Sequence, residues 1–226
     1  RDRLNSPSNP TGMIYSKEEL TAIGEWAVAH DLLILADDIY HRLVYNGAEF
    51  TAISSLSDEI RNRTTVINGV SKTFAMTGWR IGLAVGDPEI IAAMTKIASQ
   101  TTSNPTAVAQ YAAIEAFEEN DKSFEKMHAA FEERLNKIYL QLSEVPGFEL
   151  VKPNGAFYLF PKVTKAMAMK GYTDVTDFTT AILEEAGVAL VTGAGFGSPE
   201  NVRLSYATSL ETLEAAVTRL KDWMND

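Results

Sequence analysis

The sequence contains no cysteine, which removes disulfides, zinc–thiolate centres and thiol nucleophiles from consideration. Positive charge is also scarce: 20 Lys and Arg stand against 30 Asp and Glu, a formal net charge of −10. That balance argues against a general nucleic-acid binder, which needs a basic face to neutralise phosphates. No apolar run reaches the roughly 18 residues needed to cross a bilayer as a helix. The three histidines, His30, His41 and His128, are scattered without the serine or carboxylate spacing of a catalytic triad. Internal repeats and low-complexity tracts are absent too. What is present, 46% hydrophobic and 22% charged residues in a chain of 226, is globular and long enough to bury a sizeable core. The chain opens Arg1-Asp2-Arg3 rather than with methionine, and the expectation is that an N-terminal portion precedes it.

The pattern along the chain alternates helix and strand. Residues 5–12 are dense in Pro, Ser, Asn and Gly and read as a loop. Ser16 and Glu19 have capping-box spacing and open a helix over 17–30. Leu32-Leu33-Ile34-Leu35-Ala36 is continuously apolar, which predicts a strand covered on both faces, as in a parallel sheet between helices. Strands are expected at 64–68 and 81–85, and Asp87-Pro88 and Asn104-Pro105 each mark a helix start. A long amphipathic helix over 122–143 carries Phe124, Met127, Phe131, Leu135, Ile138 and Leu142 at three- or four-residue spacing. Beyond it, strands are predicted at 148–151, 156–160, 188–191 and 202–206. A helix over 175–186 stops at Gly187, and a second capping box at Thr208-Ser209-Leu210-Glu211 opens a last helix. A domain boundary is placed near 118–125.

The chemistry concentrates around Lys72. It lies in a Gly/Ser/Thr-rich turn directly after a strand, where ligands collect in open α/β sheets, and Arg80 follows eight residues later. A lysine able to condense with an aldehyde, beside an arginine able to hold a phosphate through paired hydrogen bonds, describes a site for pyridoxal 5'-phosphate. That cofactor also needs a carboxylate for its ring nitrogen, and Asp37, at the end of the first apolar strand, is available. The adjacent pair Asp37-Asp38 finds only His41 nearby as a further metal ligand, so no metal site is expected. Gly193-Ala194-Gly195-Phe196-Gly197 looks like a phosphate loop but lacks the GKS-type helix start, and reads as a tight loop beside the substrate.

The segment Gly69-Val70-Ser71-Lys72-Thr73-Phe74-Ala75-Met76-Thr77-Gly78-Trp79-Arg80-Ile81-Gly82 resembles the lysine signature of class I/II pyridoxal-phosphate-dependent aminotransferases. Asn9-Pro10-Thr11-Gly12, Asp37-Asp38-Ile39-Tyr40 and Val202-Arg203-Leu204-Ser205-Tyr206-Ala207 match the same family in order, with Asn154-Gly155-Ala156-Phe157-Tyr158 as a weaker fifth. The resemblance covers the entire chain, and the branch it most resembles is that of bacterial aspartate aminotransferases.

That resemblance implies the aspartate aminotransferase-like fold in part. Residues 1–120 would be the C-terminal half of a large α/β domain with a mainly parallel sheet, and 121–226 a small α+β domain. It implies that Lys72 forms the Schiff base with the cofactor and later moves a proton, and that Asp37 pairs with the pyridine nitrogen. Tyr40 and Asn9 would bond the ring hydroxyl oxygen, Arg80 would anchor the phosphate, and Arg203, assisted by Asn9, would grip the substrate α-carboxylate. Many relatives have a serine three residues before the lysine; here Gly69 stands there, and Ser71 is the candidate hydroxyl. The implied reaction passes an amino group between an L-amino acid, aspartate in this branch, and a 2-oxo acid, 2-oxoglutarate. A homodimer is also implied, and the lack of cysteine with the acidic balance suits the cytoplasm. Aromatic, kynurenine or prephenate transamination, carbon–sulfur lysis on the same fold, and an inactive fragment or interaction module remain the alternatives.

Overall fold

Side-chain alternation explains the first sheet. In the computed structural model, which describes residues 2–118 and 122–226, β1 (Asp2–Asn5) is followed by α1 (Lys17–Ala29), β2 (Ile34–Asp37), a short α2 (Asp58–Arg61), β3 (Thr64–Gly69) and β4 (Gly82–Val85). The strands lie in the order β1-β2-β3-β4. β1 and β3 both run parallel to β2, with Asn5 and Ile67 opposite Asp37, while β4 returns antiparallel to β3. Ile34 and Ala36 point into a core with Leu20 and Ala27 of α1 and with Ile53 and Ile60. Leu35, on the other face of β2, is 41% exposed, and Val85 of β4 is 68% exposed. The apolar run of β2 is therefore covered on one face only: α1 and the segment 53–60 shield Ile34 and Ala36, and no described helix shields Leu35.

Local chemistry sets the helix ends. Both halves of the Ser16/Glu19 capping box form at α1. Asp87 caps α3 (Pro88–Thr101), with Pro88 in its first turn. α4 (Ala107–Glu118) sends Ala109 and Ala113 against Val70 and Ile81.

The chain divides into two compact units, Arg1–Ser8 with Met13–Lys126, and Asn9–Gly12 with Met127–Asp226. The boundary expected between 120 and 121 lies outside the described residues. In the second unit, the part of α5 (Ser123–Ser143) beyond Lys126 buries Phe131, Leu135, Ile138 and Leu142 of the predicted stripe. β5 (Tyr158–Leu159), α6 (Thr164–Met169), α7 (Val175–Ala181), β6 (Val191–Thr192), β7 (Val202–Ser205) and α8 (Leu210–Asn225) complete it. Its sheet is antiparallel, in the order β5-β7-β6.

Several expectations change here. The segment 148–151 makes only an isolated bridge from Glu149 to Lys162. β5 is shorter than 156–160 because Ala156 has φ +57°, which is not extended, and Pro161 has no N–H to continue the ladder. The expected strand at 188–191 contracts to β6. α7 runs through a π-turn at Ile182–Ala186 before Gly187, left-handed as its stop requires. Ser209, not Thr208, caps α8 by accepting from the Thr212 amide, so Glu211 is one position too early to close a capping box.

Candidate active site

Parallel pairing brings two strand ends together. Because Asp37 stands opposite Ile67, the loops leaving β2 and β3 emerge at the same edge of the first sheet. The first loop carries Asp37, Asp38 and Tyr40; the second carries Ser71, Lys72 and Arg80. Lys72 is half-buried, and its Nζ lies 5.9 Å from the centroid of the Tyr40 ring. Tyr40 itself is buried. Asp37 uses its carboxylate to accept from the Arg3 guanidinium, and its carbonyl accepts from Asn5 Nδ2 at 3.2 Å.

Asp38 differs sharply from its neighbour. It is 6% exposed, and burial, reinforced by the negative charge of Asp37, pushes its carboxyl up from 3.8 to about 6. His41, also buried enough for its pKa to be lowered, places Nδ1 3.0 Å from the Asp38 carbonyl and 3.1 Å from Asn68 Nδ2. The side-chain oxygen of Asn68 accepts from the Gly69 amide at 2.8 Å. His41 and Asn68 thus tie the Tyr40 loop to the start of the Lys72 loop. Neither was apparent as a site residue from spacing, because their partnership depends on the register of β2 against β3.

The departure at position 69 has a steric cause. A Cβ on Gly69 would fall 2.7 Å from the Ile81 carbonyl oxygen and 3.2 Å from Gly82 Cα. The β3–β4 pairing leaves no room for a serine there. Ser71, by contrast, is half-buried in the loop. Arg80 stands exposed in the left-handed region (φ +57°), with Nη1 donating to the Thr77 carbonyl at 3.0 Å.

The second unit holds the other two candidates. Arg203 projects from β7, and its Nη1 donates to Asn9 Oδ1 at 2.8 Å. The segment containing Asn9 is pinned by the Gly155 amide donating to the Gly12 carbonyl at 2.9 Å. Arg203 Nε is buried and has no hydrogen-bond partner. A buried guanidinium N–H without an acceptor is an uncompensated desolvation, which an arriving anion relieves. The first unit therefore gathers an amine, a phenol and carboxylates, and the second presents a guanidinium already oriented by an amide. Among the described residues no group of His, Asp and Glu could hold a metal ion, and no helix is long and apolar enough to cross a membrane.

Residues 3–220 match the family model described as aminotransferase class I and II. A Streptococcus mutans protein named asparagine--oxo-acid transaminase is 71% identical over 98% of this chain. An aspartate aminotransferase of Bacillus subtilis is 56% identical over 96% of it. In both cases the match covers 56% of the relative, so the chain spans about half the length of the curated relatives it matches. Among solved structures, an aspartate aminotransferase from Rhizobium meliloti superimposes with a TM-score of 0.92 at 36% identity, over 99% of this chain and 57% of that one. An aromatic aminotransferase from Pyrococcus horikoshii gives 0.90 at 36% identity, over 99% and 59%.

Proposed function

Because the chain belongs to the class I and II aminotransferases, we propose that it carries the lysine, the ring-binding carboxylate and the carboxylate-gripping arginine of a pyridoxal-phosphate-dependent transaminase. The observation that carries this reading is the Lys72 amine, half-buried beside the Tyr40 ring at the strand edge that also bears Asp37. The donor set fits the cofactor. Asp37 already accepts from a cation, Arg3, as it would from a ring N–H. The Tyr40 hydroxyl and Asn9 amide suit the ring oxygen, and the exposed Arg80 guanidinium suits a phosphate, with Ser71 as a further donor.

When bound, pyridoxal phosphate supplies an aldehyde carbon and an electron-accepting ring. Lys72 would hold that aldehyde carbon, and its free amine would be the base for the proton on the substrate Cα. Asp37 would pair with the ring nitrogen and hold a proton there. Arg203, set by Asn9, would bind the substrate α-carboxylate through two parallel N–H donors.

We assign aspartate as the amino donor and 2-oxoglutarate as the acceptor, supported by the relatives named aspartate aminotransferase. The working protein is a cytoplasmic homodimer in this reading. The test is steady-state kinetics on the full-length protein carrying this sequence, with aspartate, asparagine, aromatic amino acids and kynurenine as donors. Aspartate should give the highest kcat/KM. Lys72→Ala should lose the visible band of bound cofactor and at least about 10⁴-fold in turnover. Preference for an aromatic donor would overturn the substrate assignment, and a fully active Lys72→Ala would overturn the mechanism.

A further inference from the structure

The loop Gly193-Ala194-Gly195-Phe196-Gly197, marked by its sequence as a tight turn beside the substrate, has no part in the mechanism above. It forms a 3-10 turn, Gly193–Phe196, directly after β6. Thr192 Oγ1 accepts from the Ala194 amide at 3.3 Å, and the Ser198 amide donates to the Gly193 carbonyl at 3.0 Å. The Gly193 amide donates to the Asn201 carbonyl at 2.8 Å, fastening the loop to the start of β7. A Cβ on Gly193 would come within 2.3 Å of two carbonyl oxygens, those of Asn201 and Ser198, so no other residue fits without moving the backbone.

This rigid turn presents one large side chain. Phe196 is 37% exposed. Its centroid lies 5.0 Å from the guanidinium carbon of Arg203, and the Tyr158 ring lies 4.6 Å from the same carbon. Both distances are within the range of cation–π attraction. Phe160 meets Phe196 edge-on at 6.1 Å and 89°, and the Phe160 carbonyl accepts from Asn201 Nδ2 at 3.1 Å. The ring is thus backed from one side and held at its root, while Asn9 fixes Nη1 of the same guanidinium. The buried, partnerless Nε is the second sign that this group is arranged for an anion.

We infer that Phe196, with Tyr158, is a positioning residue: the two rings hold the plane of the Arg203 guanidinium for capture of a carboxylate. This rests on the aminotransferase reading of Arg203 and deepens it. An arginine side chain free to rotate loses substantial rotamer entropy each time it grips a planar anion. A guanidinium already stacked loses little. The α-carboxylate is gripped equally before and during proton transfer, so the benefit falls on substrate affinity and not on the chemical step.

The experiment uses the full-length protein. Phe196→Leu is expected to raise KM for both the amino acid and the oxo acid by roughly 3- to 10-fold, the range that one cation–π contact gives. kcat should stay within about 2-fold. Succinate, which has two carboxylates and no reacting group, should bind more weakly by the same factor in calorimetric titration. Phe196→Trp should restore both values. Thermal unfolding checks that the variants fold, and Phe196→Met replaces the leucine variant if that one does not. The clamp is overturned if the leucine or methionine variant binds succinate as tightly as the parent, if the loss falls on kcat alone, or if tryptophan is no better than leucine. A parent that transaminates beside an unaffected Phe196→Leu sinks the clamp alone. A parent that neither binds succinate nor transaminates sinks the aminotransferase reading beneath it.

Discussion

In the first unit the reactive groups ride on backbone that a sheet has already aligned. Asp37 ends β2, Gly69 ends β3, and the register between these strands brings their loops to one edge. In the second unit Arg203 sits within β7, and its direction comes from side chains: the Asn9 amide and the rings of Tyr158 and Phe196. The difference is one of tolerance. A group placed by backbone register survives changes to its neighbours' side chains but not changes that part the strands. A group placed by side-chain contacts fails when a single partner or its own shape is altered.

This contrast can be broken by substitution. Arg203→Lys keeps the charge but loses the planar fork and the surface that stacks on the rings, so kcat/KM should fall by roughly 100-fold or more in steady-state assays. A lysine that worked as well would mean that charge alone is needed, and the side-chain placement argument would go. Gly69→Ser tests the backbone side. Its Cβ has no room beside the Ile81 carbonyl, so β3 and β4 should be forced apart at a cost of about 1–3 kcal/mol in denaturant unfolding. Unchanged stability would show that the strand end yields easily.

An effect of similar size depends on pH. Asp38 has its pKa raised by burial, and second by the charge of Asp37, from 3.8 to about 6. Across that window the folded form keeps a proton that the unfolded form has lost, so this group's contribution to stability falls as pH rises from about 4 to 6 and is constant above. Asp38→Asn removes the penalty. Unfolding midpoints should show a gain of about 1–3 kcal/mol over the parent at pH 7.5, vanishing near pH 3.5. An equal difference at both pH values would contradict this account of Asp38.

Legibility in the sequence followed the range of the interaction. Ser16 with Glu19, Asp87 with Pro88, and Gly187 announced helix ends because capping is settled within four residues. α6 went unread because Val163 precedes it without a side-chain cap. β5 was expected too long because the left-handed Ala156 cannot be read from an alanine. At the candidate site, residue types and position pointed to Lys72, Arg80 and Asp37, and the family resemblance added Tyr40, Asn9 and Arg203. They did not separate Asp37, which meets a cation, from Asp38, which is buried beside it. Nor did they pair His41 with Asn68, which are distant in sequence, or Arg203 with Phe196, which meet across the turn between β6 and β7.

The central claim is that the amine at position 72 is the one that carries the cofactor. Borohydride reduction of the full-length protein loaded with pyridoxal phosphate, followed by digestion and peptide mass analysis, tests it directly. The account predicts a phosphopyridoxyl group fixed to Lys72. The same group found on another lysine, or on none, would contradict it.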